Sequence, residues 1–211
     1  MRVLDLGCGS GRDLASWGVT VPDEVTGLDI DGSPLATARV RFPNRTFLQG
    51  DGECLPFADE SFDRVISAVA LPYMNIQKAL AEIHRTLVPG GGLSLSLHLP
   101  GFTIAELFHN AIPKPVPTLF RLYVTANGLV FHCTGRTVGF VNRRTESFQT
   151  ERGMRFALNR AGFVSLSFSR ATGPIAERFI VEARKSKVIG PVAAARAPKA
   201  MGGLVPLRIR A

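Results

Sequence analysis

The sequence predicts an α/β fold, a doubly wound and mostly parallel seven-stranded sheet with helices on both faces and an insertion after the fifth strand. Three observations carry this reading. Short apolar runs alternate with helix-like segments through residues 2–99, the order that builds repeated strand–helix units. After Arg64, the run at residues 65–69 is apolar on both faces apart from Ser67, as a strand buried between two helical layers must be. A glycine cluster follows the first run directly, where a strand has to turn into a helix.

The elements follow in order. Val3–Leu6 is the first strand, it stops at the glycines, and Arg12–Trp17 continues as a helix. Val25–Asp29 is the second strand; in the Asp31-Gly32-Ser33-Pro34 segment after it, Ser33 is the expected cap and Pro34 suits a first turn. Thr46–Gln49 and Arg64–Val69 are the third and fourth strands. Ile76, Ala79, Leu80, Ile83 and Leu87 are spaced as one face of an amphipathic helix that Pro89 and Gly90–Gly92 terminate. Leu93–Leu99 is the fifth strand. Residues 100–150 hold Pro113, Pro115 and Pro117, two expected short helices and several aromatics, and read as an insertion placed over a site. A helix near Glu151–Ala161 and strands at Phe163–Phe168 and Arg178–Ala183 complete the fold. One domain is expected over residues 1–185, with residues 186–211 a basic tail lacking periodicity and expected to be disordered.

Composition excludes several classes. The 211 residues can bury one sizeable core. No stretch approaches the roughly 18 uninterrupted apolar residues of a membrane span, and the start lacks a leader pattern, so a cytoplasmic protein without a membrane partner is expected. Cys8, Cys54 and Cys133 are odd in number and widely spaced, which gives neither a disulfide framework nor a metal half-site; no metal is expected. The net charge is +8. From Arg184 onward the chain carries Arg184, Lys185, Lys187, Arg196, Lys199, Arg208 and Arg210 and no acidic residue, which leaves the body nearly neutral. A second basic excess runs from Arg136 to Arg160. Both clusters are read as solvated surface, with nucleic acid as the weaker alternative.

The chemistry lies in Asp5-Leu6-Gly7-Cys8-Gly9-Ser10-Gly11, a strand entering a loop with glycine at every second position. Such a loop lets a ligand approach backbone N–H groups closely. A dinucleotide fingerprint requires glycine or alanine at position 12, which is Arg12. The spacing instead resembles the glycine-rich loop of class I S-adenosylmethionine (SAM)-dependent methyltransferases, and further matches follow in order: Gly27-Leu28-Asp29-Ile30-Asp31, Gly50-Asp51-Gly52-Glu53, Ser61-Phe62-Asp63 and Leu87-Val88-Pro89-Gly90-Gly91-Gly92. The resemblance is to the broad group with ubiquinone and menaquinone C-methyltransferases and many small-molecule enzymes. It implies a Rossmann-like fold and SAM as cofactor. By the same resemblance Asp5 and the loop Gly7, Cys8, Gly9 and Gly11 contact the methionine end. Asp29, followed by Ile30, holds the ribose; Asp51 binds the adenine amino group; Gly52 and Glu53 line the ring; and Ala68 lies under the cofactor. In that family a helical segment precedes the first strand, whereas here the strand begins at residue 2; the alternatives are a chain start assigned too late, or a fragment or domain whose open cofactor site is expected to bind SAM weakly.

Methyl transfer from a sulfonium is governed by positioning, with a base needed only where the acceptor must lose a proton. Tyr73, after the fourth strand, and His98, at the end of the fifth, are the catalytic candidates, each with an alternative as packing or capping. His84 is read as structural, and His109 and His132 could touch substrate. The Ala70-Leu71-Pro72-Tyr73 loop lacks the Asn or Asp that precedes Pro-Pro-Tyr in methylases of adenine or amide nitrogen. A small organic acceptor is therefore expected, with an RNA or protein methyltransferase, or a SAM-binding module without turnover, as rivals.

Overall fold

Seven strands form one sheet, ordered across it as the third, second, first, fourth, fifth, seventh and sixth along the chain. The computed structural model describes residues 1–20, 23–98, 101, 115–139, 145–172 and 177–187. The basic segment 188–211, His109 and much of the insertion lie outside the described residues. The strands are β1 (Arg2–Leu6), β2 (Glu24–Asp29), β3 (Thr46–Gln49), β4 (Phe62–Ala68), β5 (Leu87–His98), β6 (Phe163–Thr172) and β7 (Glu177–Lys185). The first five pair in parallel, while β7 runs antiparallel to both β5 and β6. The chain steps outward from β1 through β2 to β3, then returns to lay β4 on the other side of β1. That reversal opens a crevice at the carboxyl ends of β1 and β4, where open α/β sheets take ligands.

Among the described residues four α-helices flank the sheet: α1 (Gly32–Arg41), α2 (Ile76–Thr86), α3 (Pro115–Thr134) and α4 (Glu151–Arg160). On one face, Ile76, Ala79, Leu80 and Ile83 of α2 and Met154 and Leu158 of α4 pack on Leu4, Leu6, Val65, Leu93, Leu95 and Leu97. On the other, Leu35 and Ala38 of α1 meet Cys8 and Phe47, and Leu14 meets Val3, Val25 and Ile66. Ser67, the one polar residue in β4's apolar run, is satisfied by donating to the Leu6 carbonyl at 2.8 Å, which removes the cost of burying its hydroxyl.

Four local expectations are corrected. The helix expected from Arg12 is a single 3₁₀ turn, Leu14–Trp17, which Gly18 ends in the left-handed region; too few residues separate Gly11 from Gly18 for an α-helix to propagate. Asp31, not Ser33, caps α1, its carboxylate accepting from the Ser33 N–H at 2.9 Å. Helix α2 ends at Thr86, before Pro89, because Leu87 already pairs with Phe62; the Pro-Gly segment is an irregularity inside β5. In the insertion, where two short helices are expected, the described part holds the 20-residue α3, and residues 102–114 lie outside the described residues. Asn127-Gly128 reads as a breaker, yet Gly128 leaves room for Phe148, whose ring would lie 2.2 Å from a Cβ there. Finally, β6 and β7 extend beyond their expected limits, stitched to each other over their length.

Candidate active site

The crevice is built by loops whose backbone is fixed before any ligand arrives. Gly7 and Cys8 donate N–H groups to the Leu28 carbonyl at 2.7 and 3.2 Å, and Gly11 donates to the Cys8 carbonyl at 2.8 Å. Gly7 adopts φ +71°, and a Cβ there would lie 2.1 Å from that of Ala70, so two loops touch where only hydrogen fits. Asp29, ending β2, closes the turn with both oxygens: Oδ2 accepts from the Gly9 N–H at 2.7 Å and Oδ1 from the Asp31 N–H at 3.0 Å. After β3, Asp51 accepts from the Glu53 N–H at 2.8 Å. Glu53 accepts from the Asn75 N–H at 2.7 Å and pairs with Lys78 at 3.4 Å, so its charge sits at the start of α2, where the helix dipole favours it.

These loops enclose a cavity of about 640 Å³, within the size range of small-ligand sites. Gly7, Asp29, Ile30, Asp51, Gly52, Glu53, Ala68 and Tyr73, all singled out in the sequence, line it. So do Leu28, Gly50, Val69, Ala70, Met74, Lys78 and Thr145, which were not. Val69 has φ +61°, strained for a β-branched residue, and is held there by donating its N–H to the Ser96 carbonyl at 2.8 Å.

Comparison with known proteins agrees with this geometry. A family model described as a methyltransferase domain matches residues 4–95. The phthiotriol/phenolphthiotriol dimycocerosates methyltransferase of Mycobacterium tuberculosis is 32% identical over 161 residues, covering 74% of this chain and 60% of that protein. The demethylmenaquinone methyltransferase of Chlorobaculum parvum is 38% identical over 92 residues, 43% of this chain and 38% of that one. A solved SAM-dependent methyltransferase of Methanosarcina mazei superposes with TM-score 0.57 at 21% identity, covering 88% of this chain and 92% of that chain. Residues 4–95 match the methyltransferase-domain family, and the fold is that of SAM-dependent methyltransferases. It spans about half the length of the curated relatives it matches.

Within this methyltransferase domain the remaining candidates separate. Asp5 is 2% exposed and does not line the cavity. Burial raises its carboxyl to about 7, helped by the charges of Asp13 and Asp29 and opposed by Arg45. Cys8 points into the core beside Leu35 and Phe47, and burial, then the Asp5 and Asp29 charges, push its thiol up. Gly9 and Gly11 shape the loop behind the cavity wall. Tyr73 is 60% exposed at the cavity rim, whereas His98, opposite Arg178 in the β5–β7 ladder, is not among the residues that line the cavity. His84 packs edge-on against Phe163 at 5.2 Å; burial, then the Lys185 charge, lowers its pKa. The His132 ring contacts Thr150, the cap of α4, at 2.9 Å.

A supporting network lay beyond the sequence reading. Arg85 of α2 donates to the carbonyls of Phe57 at 2.8 Å and Leu55 at 3.1 Å, and to Asp59 at 2.8 Å, while Glu82 accepts from the Leu55 N–H at 2.9 Å. The pair fixes the stretch that follows Asp51–Glu53. The contact with Arg85, against partial burial, holds the Glu82 carboxyl below its usual range.

Proposed function

We propose that the domain binds SAM in the cavity at the ends of β1, β2, β3 and β4 and transfers its methyl group to a small organic acceptor. The observation that carries this is the convergence of Gly7, Asp29 and Asp51, from three successive strand ends, on one cavity with an apolar wall of Leu28, Ile30 and Met74. The residues present fit the cofactor: two carboxylates suit hydroxyl and amino donors, and glycine at position 7, where a Cβ would strike Ala70, keeps the loop backbone that lines the cavity bare. When bound, SAM supplies a methyl group already activated on sulfur. The chain's part is to orient: Asp29 and Asp51 hold the donor, Val69 and Ala70 form the floor, and Tyr73 and Met74 border the open side where an acceptor enters. Lys78 and Glu53 neutralise each other at the rim, which leaves that side suited to an organic molecule. The named acceptors of the two curated relatives are also organic molecules. A nucleic-acid acceptor is less well supported, since Arg155 is engaged with Glu151 at 2.7 Å and stacked over Phe168.

The test is thermal unfolding with SAM and S-adenosylhomocysteine, repeated for Asp51→Ala, which removes a cavity carboxylate without touching the Gly9 loop. Ligand at 100 times its Kd is expected to stabilise the fold by about 2.7 kcal/mol, and the variant to lose most of that shift. A folded chain that neither ligand stabilises refutes the proposal. Release of S-adenosylhomocysteine with small phenolic or quinol acceptors, and not with RNA, then identifies the acceptor class.

A further inference from the structure

Helix α3 carries two apolar faces, and only one is covered. Val124, Asn127, Gly128 and Phe131 turn inward, with Gly128 against Phe148 and Phe131 against Gly153 of α4. On the opposite side Leu119, Leu122, Ala126, Leu129, Val130 and Cys133 fall at helical spacing along one stripe and are all exposed. The exposure is large for the aliphatic residues: 62% for Leu119, 55% for Leu122, 57% for Leu129 and 40% for Val130. Isolated exposed leucines need no explanation, but a contiguous stripe on one helix marks a contact surface. Phe156, 41% exposed, extends the patch past the end of α3, its Cβ lying 2.6 Å from where one on Gly135 would be.

Charge decides what meets this stripe. The one charged side chain of α3, Arg121, pairs with Glu146 at 3.4 Å, so the stripe itself carries no charge. At its far end lie exposed Arg136, Arg152 and Arg160, with Arg152 over the Phe156 ring and Arg160 donating to the Thr134 carbonyl. An apolar helix face with an arginine rim is the arrangement of helices that lie in the headgroup layer of a bilayer, the leucines entering the acyl boundary and the arginines meeting lipid phosphates. A second copy suits the stripe less well, because it brings the same arginine rim and the same net charge of +8. A nucleic acid would satisfy the arginines and leave the leucines in water.

We infer that α3 docks the protein on an anionic lipid surface through the Leu119–Cys133 stripe, lying in the interface plane. This differs from spanning: no helix among the described residues is long and apolar enough to cross a membrane. It also departs from the expectation, drawn from the lack of a spanning stretch and of a leader pattern, that no membrane is involved. The inference does not depend on the cofactor reading, since vesicle binding is measured without SAM.

The test is flotation of the full chain with vesicles of phosphatidylcholine alone and of phosphatidylcholine with 30% phosphatidylglycerol, for the unaltered protein, Leu122→Gln/Leu129→Gln and Arg136→Gln/Arg152→Gln. The substituted side chains are exposed, and unchanged thermal unfolding will verify that the variants fold. The expected result is binding to anionic vesicles that falls at least tenfold in the leucine variant, and severalfold in the arginine variant or at high salt. Absence of binding overturns the inference. So does leucine-variant binding equal to that of the unaltered chain, which would place the attraction in the basic carboxyl-terminal segment. Concentration-dependent dimerisation abolished by Leu122→Gln/Leu129→Gln, without vesicle binding, would assign the stripe to a second copy and equally overturn it.

Discussion

Replacing Asp5 by Asn isolates the energetic cost of placing a carboxylate beneath the glycine loop. The side chain is 2% exposed, no donor among the described residues is within hydrogen-bond distance of it, and burial first, then Asp13 and Asp29, raise its pKa from 3.8 to about 7. A difference of that size corresponds to roughly 4 kcal/mol between the two protonation states, with little solvent screening at this depth. Between about pH 4 and 7 the folded chain retains a proton that the unfolded chain has released. The folded state therefore binds more protons, and stability contributed by this group falls as pH rises through the window and levels off above it. Asp23, Asp63 and Glu82 have lowered pKa values and act in the opposite sense, losing stability as pH falls. They are common to both proteins and cancel in the comparison. Urea unfolding at intervals from pH 4.5 to 8.5 should show the stability of Asp5→Asn, relative to the unaltered chain, rising by about 2–4 kcal/mol across the range. Arg45→Ala, which removes the opposing charge, should steepen the dependence of the unaltered chain. A difference between Asp5→Asn and the unaltered protein that stays flat with pH would refute the assignment of a buried, neutral carboxyl at this position.

Three further outcomes follow from the same contacts. Gly7→Ala, which puts a Cβ 2.1 Å from Ala70 at φ +71°, should cost roughly 3 kcal/mol from backbone and overpacking together, read by chemical denaturation; a loss under about 1 kcal/mol would show that the two loops separate easily. Val69→Gly should be nearly neutral, because relief of about 1 kcal/mol of strain at φ +61° offsets the added chain entropy; a loss above about 2 kcal/mol in thermal unfolding would contradict the strained backbone. Arg85→Ala should weaken SAM binding severalfold in calorimetry and destabilise by about 1–2 kcal/mol, discounted for its partial exposure, with Arg85→Lys failing to restore either because it cannot bridge two carbonyls and two carboxylates; unaltered affinity would show that the Leu55–Asp59 stretch is rigid without it.

The sheet was legible where periodicity had one interpretation. Thr46–Gln49 is β3 residue for residue, and the α2 face of Ile76, Ala79, Leu80 and Ile83 is wholly buried. The length of α3 was not legible, because a tertiary contact outweighs local chemistry there. Asn127-Gly128 breaks helices in isolation, yet within α3 Asn127 accepts from the Val138 N–H and donates to the Glu146 carbonyl at 2.7 and 2.9 Å. The polar side chain thereby ties down the chain that leaves α3 and the chain that returns to it. The site divides in the same way. Asp29 and Asp51 were marked by the resemblance of the motifs that hold them, and both line the same cavity. Lys78, Thr145 and Arg85 were not, since nothing in their neighbours reveals which loop they face. Val69 could not be found because a left-handed backbone at valine leaves no trace in composition.

The contacts of Asp29 and Glu53 bear on why the site should discriminate at all. Each oxygen of Asp29 already accepts one backbone N–H, and each still has a lone pair for a ligand hydroxyl. Hydrogen bonds from the loop keep the carboxylate aimed, so a ligand meets an oriented acceptor with little left to order. Glu53 does the reverse: its contacts with Asn75 and Lys78 pin the start of α2 over the third loop, so the spacing between Asp51 and Tyr73 follows from the seating of α2. A ligand that fills only the Asp29 side gains nothing from that pinning, whereas one long enough to reach both Asp29 and Asp51 draws on both. Ribose alone should therefore bind far more weakly than adenosine, and competition of each against SAM measures the difference directly. Equal potency of the two would mean that the third loop contributes no recognition, and that the cavity is organised by β1 and β2 alone.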